Sequence, residues 1–150
     1  MPSTNRRDFL QRLTLALLAG VSGTLRAQNE PRAYDQRAYD RLRNVDLFAF
    51  GGVGFAANTS NGELGFRILL RQEKQQTLAQ LEKLYAEGNP QAKAYALAGI
   101  HTLNPQRFSE LYAALPNVTV KTAHGCILSR DSLESVAKEI ALGAFDKQLH

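Results

Sequence analysis

His124, Gly125 and Cys126 set an imidazole two residues from the only cysteine in the chain. A thiolate beside an imidazole can act as a nucleophile or as half of a metal site, because the base takes up the thiol proton. On a strand, residues two apart share a face, so His124 and Cys126 would meet if the chain ran straight through Gly125. The other histidines, His101 and His150, complete no His-x3-His spacing, and a lone cysteine forms no Cys-x2-Cys. A closed zinc site is therefore not expected, and no metal is assigned. Ile127 and Leu128 follow the thiol and mark it instead as a small buried hydrophobe. Burial of Cys126 is the expectation, with the Cys126–His124 pair as the enzymatic or redox alternative.

Two further groups of residues have chemical potential. Gly52-Val53-Gly54-Phe55-Ala56-Ala57 matches G-x-G-x-x-A after an apolar run. In a dinucleotide fold such glycines let backbone N–H groups approach a pyrophosphate where a helix begins. Here Asn58 to Gly62 breaks the chain at once, and no second strand follows at βαβ spacing. Gly51 to Gly54 is thus expected to be a structural or partner-facing turn, with at least one positive φ that glycine adopts readily. Beside it, Glu63 and Arg67 lie one helical turn apart and can hold each other or a ligand. Gly52, Gly54, Glu63 and Arg67 are the candidate ligand- or partner-binding residues.

These groups need elements to position them. Ser60-Asn61-Gly62-Glu63 reads as a capping box, opening a helix through Leu64, Phe66, Ile68, Leu69 and Leu70. Before it, Val45 to Thr59 reads as a short strand or buried extended segment and a turn. Pro31 suits a helix start, and Tyr34, Ala38, Leu42 and Val45 form its stripe. Leu78, Leu81, Leu84 and Tyr85 carry helical spacing, and Gly88 is expected to end that helix as a left-handed residue. Asn89-Pro90 and Asn104-Pro105 are paired helix starts. The helix between them is almost apolar all round and rich in alanine, which marks it as the central one. Phe108, Leu111, Tyr112 and Leu115 give the next helix one face. Val118 to Thr122 alternates as a short strand, with Leu47 to Phe50 able to pair with it. Leu133, Val136, Ala137, Ile140 and Ala141 mark a last helix, stopped near Gly143.

The N-terminus carries a different message. Leu13 to Leu25 is an apolar run of signal-peptide length, preceded by Arg6, Arg7 and Arg12. Ala27 sits where a peptidase can cut. Asn5-Arg6-Arg7-Asp8-Phe9-Leu10-Gln11 resembles the twin-arginine export motif, with Arg6, Arg7, Phe9 and Leu10 at its most specific positions. The resemblance implies recognition by the twin-arginine (Tat) export machinery and release into a bacterial periplasm, folded, often with a cofactor or as a partner's passenger. No residue set receives a cofactor, and none is assigned. Residues 1–27 are read as the label and 28–150 as one mature domain, off the membrane after cleavage.

Composition narrows the function classes. The chain has 18 Lys+Arg against 14 Asp+Glu, and losing four arginines and Asp8 with the label leaves 14 against 13. No basic excess remains on which to argue nucleic-acid binding. A chain of this size suits one core, without a disulfide framework.

Between Asn89 and Leu115 the short helices resemble the pairs of HEAT-type repeats, though no second copy recurs at a fixed period. The GGVG turn, the Ser-x-Gly-Glu start and the late Gly-Cys also resemble small exported bacterial proteins with no assigned activity. The expected fold is mainly α: a small bundle of five or six helices, partly HEAT-like, with at most two or three short strands. Leu81, Leu97, Leu111 and Ile140 are expected in its core. The expected function is a non-catalytic periplasmic module that binds or accompanies another protein. The alternatives are the Cys126–His124 enzyme and a small-ligand carrier with its pocket at Gly51–Gly54.

Overall fold

Asn89 and Pro90 start the central helix in the computed structural model, which describes residues 33–149. The export label, Arg6, Arg7, Phe9, Leu10 and Pro31 lie outside the described residues. In chain order the elements are α1 (Ala33–Arg43), β1 (Gly52–Val53), β2 (Asn58–Thr59), α2 (Asn61–Leu70), α3 (Lys74–Glu87) and α4 (Pro90–Leu103). They continue with α5 (Pro105–Tyr112), β3 (Thr119–His124), β4 (Ile127–Ser132), α6 (Leu133–Ala141) and the single turn α7 (Asp146–Leu149). The chain is mainly helical, with two small two-stranded antiparallel sheets.

The caps explain the boundaries. Asn89 Oδ1 accepts the N–H of Ala92, and Asn104 Oδ1 that of Arg107, each with proline at the next position. Ser132 caps α6 in the same way, through the N–H of Ser135. Gly88 departs from expectation: its φ is −75°, so it does not turn left-handed. Space is the reason for glycine there, since a Cβ would come within 2.5 Å of Ala92 Cβ and 2.6 Å of Leu84 O. The last carbonyls of α3, on Tyr85 and Ala86, accept instead from Lys93 Nζ at 2.5 and 3.2 Å.

Small side chains make α4 the hub. Ala92, Ala94, Ala96, Ala98 and Gly99 are buried, and α3, α5, α6 and β3 all pack against this helix. At Gly99 a Cβ would lie 2.6 Å from Leu81 and 3.0 Å from Phe66, so only glycine allows that approach. Leu81, Leu97 and Ile140 are fully or nearly fully buried, as the spacing predicts. Leu111 is only half-buried: α5 turns Phe108 inward and leaves Leu111 at the margin of the core and Tyr112 exposed.

Tyr95, near the middle of α4, meets an aromatic cluster. Phe48, Phe50, Phe66, Tyr95 and Phe145 stack with centroid separations of 4.9 to 5.6 Å, mostly edge to face. Phe145 reaches this cluster from the segment before α7, which helical periodicity alone does not reveal. Phe48 lies in an extended segment and forms a parallel bridge with Thr122, the pairing expected between Leu47–Phe50 and the later strand. β4 is the addition: it pairs with β3 in register from His124↔Ile127 to Thr119↔Ser132.

Candidate functional site

Gly52 and Val53 pair with Thr59 and Asn58, so the glycine segment is a β-hairpin whose four-residue tip runs from Gly54 to Ala57. Gly51 and Gly54 adopt φ of +81° and +73°, the positive values expected of this turn. The N–H groups of its two positive-φ glycines already have partners. Gly51 N–H donates to Glu63 Oε2 at 2.9 Å, and Gly54 N–H to the carbonyl of Gly125 at 3.0 Å. No helix begins inside the glycines, so the segment lacks the geometry of a phosphate cradle. The chain's own carboxylate sits on Gly51 instead.

Glu63 is the buried member of its pair, at 2% exposure, while the Arg67 side chain is 47% exposed. Arg67 donates from Nε at 3.0 Å and from Nη2 at 2.7 Å to Glu63 Oε1. Both carboxylate oxygens are therefore satisfied, which is what lets the charge be buried. The capping box forms only in part. Ser60 Oγ accepts the N–H of Glu63, but the Glu63 side chain turns to Gly51 and Arg67 rather than back to Ser60.

Tyr95 joins this group from α4. Its hydroxyl accepts the N–H of Ala49 at 3.1 Å and donates to the carbonyl of the same residue at 2.7 Å. Ser60 Oγ donates to that carbonyl at 3.2 Å. Burial raises the Tyr95 hydroxyl pKa above its ordinary value, against the bonds from Ser60 and Ala49 that lower it. A Cβ on Gly62 would fall 2.6 Å from the Tyr95 ring. Sequence reasoning missed Tyr95 and Ser60 as one network; a hydroxyl within an otherwise apolar helix was the available signal. The network holds Ala49, the glycine turn and α2 in place.

The second turn lies against the first. Gly125, at φ +60°, and Cys126 are the two residues linking β3 to β4. Glycine at the first of two central positions is the composition of a type II′ hairpin turn. Gly125 reverses the chain, so the alternation that would set His124 and Cys126 on one face stops before the thiol. Cys126 is exposed, contrary to its expected burial, because it sits in a two-residue turn at the end of the sheet, where its side chain is not covered by the described residues. His124 is exposed as well, and no hydrogen bond joins it to Cys126. His101 is half-buried with its ring against Phe108 at 4.8 Å, a packed helix residue.

Three large apolar side chains are exposed around these turns. Phe55 is fully exposed, Ile127 is 68% and Leu128 72% exposed, all within a few residues of the Gly54–Gly125 hydrogen bond. An open cavity of about 350 Å³ adjoins the first hairpin, lined by Val45–Leu47, Val53 and Asn58–Gly62. Gly52 and Gly54 are not on its wall. Among the described residues no cluster of three His, Cys, Asp or Glu could hold a metal ion, and no helix is long and apolar enough to cross a membrane.

No family model, curated protein or solved structure matches this chain. The functional reading therefore rests on its own residues.

Proposed function

We propose that this protein is an exported, non-catalytic helical module that binds or accompanies another protein in the bacterial periplasm. One observation carries the reading: Phe55, Ile127 and Leu128 stand exposed around two hydrogen-bonded turns. Burying a side chain of this size is worth about 1.5–3 kcal/mol, so each is an unclaimed source of binding energy. Ile127 and Leu128 alternate to opposite faces of β4, so apolar area is offered on both sides of the hairpin end. The turns are fixed from behind by Glu63, Tyr95 and the aromatic cluster, so little order has to be acquired on binding. Tyr95 comes from the first helix of the pair opened by Asn89 and Asn104, which is HEAT-like in sequence. Export is the reading of Arg6-Arg7-Asp8-Phe9-Leu10, which places the partner outside the cytoplasm.

Affinity purification of the exported protein from its own periplasm tests this, with Phe55→Ser as the control. A partner retained by the wild type and lost by the variant is the expected result. Equal recovery of the same proteins by both would remove the tip from the account.

The exposure of Cys126 favours one second reading, thiol chemistry at the same tip. A reactive cysteine needs access, and this one has it. A thiol reagent should label native Cys126 as fast as it labels the unfolded chain. If partner capture survives Phe55→Ser but fails for Cys126→Ser, the thiol reading takes precedence.

A further inference from the structure

The register of β3 and β4 determines which backbone groups of β4 face outward. In an antiparallel pair, hydrogen-bonded and non-hydrogen-bonded rungs alternate, beginning with a bonded rung beside a two-residue turn. Ile127, Ser129 and Asp131 therefore bond to β3, while the N–H and C=O of Leu128 and Arg130 point away from it. The inner strand obeys the same alternation. Lys121 C=O and Ala123 N–H point away from β4, and both bond to Phe48, at 2.9 and 3.1 Å. Phe48 thus covers the far edge of β3. Among the described residues nothing pairs with the backbone of Leu128 or Arg130.

The side chains along this edge have a definite character. Lys121 and Arg130 are directly opposite one another, both exposed, and among the described residues neither makes an ion pair. Like charges on a non-hydrogen-bonded rung, where side chains stand closest, are destabilising. Leu128 lies on the same face, and an open cavity of about 300 Å³ runs between Leu47, Leu128 and the two cations. We propose that the outer edge of β4 binds an extended segment of a partner protein bearing acidic and apolar side chains, which joins the sheet as a strand beside Leu128 and Arg130. The inference rests on the partner-binding reading above and names the chemistry of the partner.

Each part of the edge has a task in that complex. The outward N–H and C=O groups give sequence-independent bonds, and the side chains select. A carboxylate relieves the repulsion between Lys121 and Arg130, and an apolar neighbour covers Leu128. A second copy of the chain fits worse. Antiparallel pairing of two β4 strands about Ser129 would gather four cations on one sheet face, and charged edges of this kind oppose self-association. A lipid surface would supply anions but leave the backbone of Leu128 and Arg130 unpaired.

Amide hydrogen exchange of the purified protein, read by NMR with and without the peptide acetyl-Thr-Glu-Thr-Val-Thr-Glu-amide, whose Glu and Val side chains share one face of a strand, tests the proposal. The amides of Leu128 and Arg130 should slow by about tenfold or more, the mark of new hydrogen bonds. Those of Ser129 and Asp131, already bonded to β3, should not change. The same peptide with lysine for glutamate should give no protection to the wild type and should protect the Lys121→Glu, Arg130→Glu double variant. Both positions are exposed, and a circular dichroism spectrum equal to wild type checks the variant's fold. Unchanged exchange at Leu128 and Arg130, or equal protection by both peptides, overturns the proposal. Protection that grows with protein concentration alone would assign the edge to a second copy, and binding to phosphatidylglycerol vesicles without protection would assign it to lipid; either overturns it. Partner capture that survives the double reversal but not Phe55→Ser overturns the edge proposal and leaves the partner reading standing.

Discussion

Glu63 and Gly51 are joined by a hydrogen bond of 2.9 Å from the glycine N–H to a buried carboxylate oxygen. It ties the start of the glycine hairpin to the first turn of α2. The charge that a phosphate would bring to such a turn is supplied from within the chain, and Arg67 neutralises it from the solvent side. A turn held in this way is a rigid mount for Phe55.

Glu63→Ala should destabilise the protein by about 1–3 kcal/mol, because it leaves the Gly51 N–H and the Arg67 guanidinium without their partner. Arg67→Ala should cost at least as much, since it leaves the buried Glu63 carboxylate charged and unpaired at Oε1. Urea unfolding of the two variants gives the comparison. A clearly smaller loss for Arg67→Ala would show that water replaces Arg67 at Oε1 and that the Gly51 bond is the stronger support.

The positive φ values at Gly51 and Gly54 predict that alanine at either position lowers stability by about 1–2 kcal/mol through backbone strain alone. Neither position is crowded, so no clash contributes. Gly52→Ala acts by a different route, as its Cβ would meet Ala57 Cβ at 2.6 Å. Ala57 itself has φ +49°, and Ala57→Gly should be neutral or stabilising. Thermal melts measure each, and added ATP should change none of them. An ATP-dependent rise in melting temperature that Gly54→Ala abolishes would reinstate a nucleotide site.

Tyr95 gives the protein a pH dependence of known sign. Its folded pKa is raised above the ordinary value of 10.0, so the folded state holds the phenolic proton more firmly than the unfolded chain. The stability from this group is fully present below about pH 10 and is lost as pH rises through the folded pKa. Tyr95→Phe should lower stability at neutral pH by about 1–3 kcal/mol, through the unpaired Ala49 N–H and the loss of one of the two bonds to its carbonyl, and should flatten the alkaline decline. Urea midpoints from pH 7 to 11 provide the test. An equal alkaline decline in wild type and variant would assign the effect to Tyr39 and Tyr85, whose pKa values burial also raises.

Local signals made the helices legible. Asn-Pro and Ser-x-x-Glu starts act within one turn of chain, and the structure places α2, α4 and α5 where they indicate. The alanine-rich composition of α4 likewise announces its central position. What failed was information carried between distant residues. Cys126 followed by Ile127 and Leu128 has the local character of a buried strand, yet Gly125 makes it a turn, and only the pairing of β3 with β4 shows this. Leu111 carries the same helical spacing as Phe108, and the direction in which α5 leans on α4 decides between them. The capping box predicted the Ser60 bond but not the partner of Glu63, because Gly51 is twelve residues away. The candidate site was legible as four residues, Gly52, Gly54, Glu63 and Arg67, and illegible as the apolar tip that their mount supports.

Photo-crosslinking in the periplasm reads partner contacts at the apolar tip itself. Benzoylphenylalanine would replace Phe55, Ile127 or, as a control on an exposed helix face away from the turns, Lys138. A crosslink to the same second protein is expected from positions 55 and 127, and none from 138. Absence of any crosslinked protein at 55 and 127, or equal crosslinking at all three positions, would contradict the partner-binding reading.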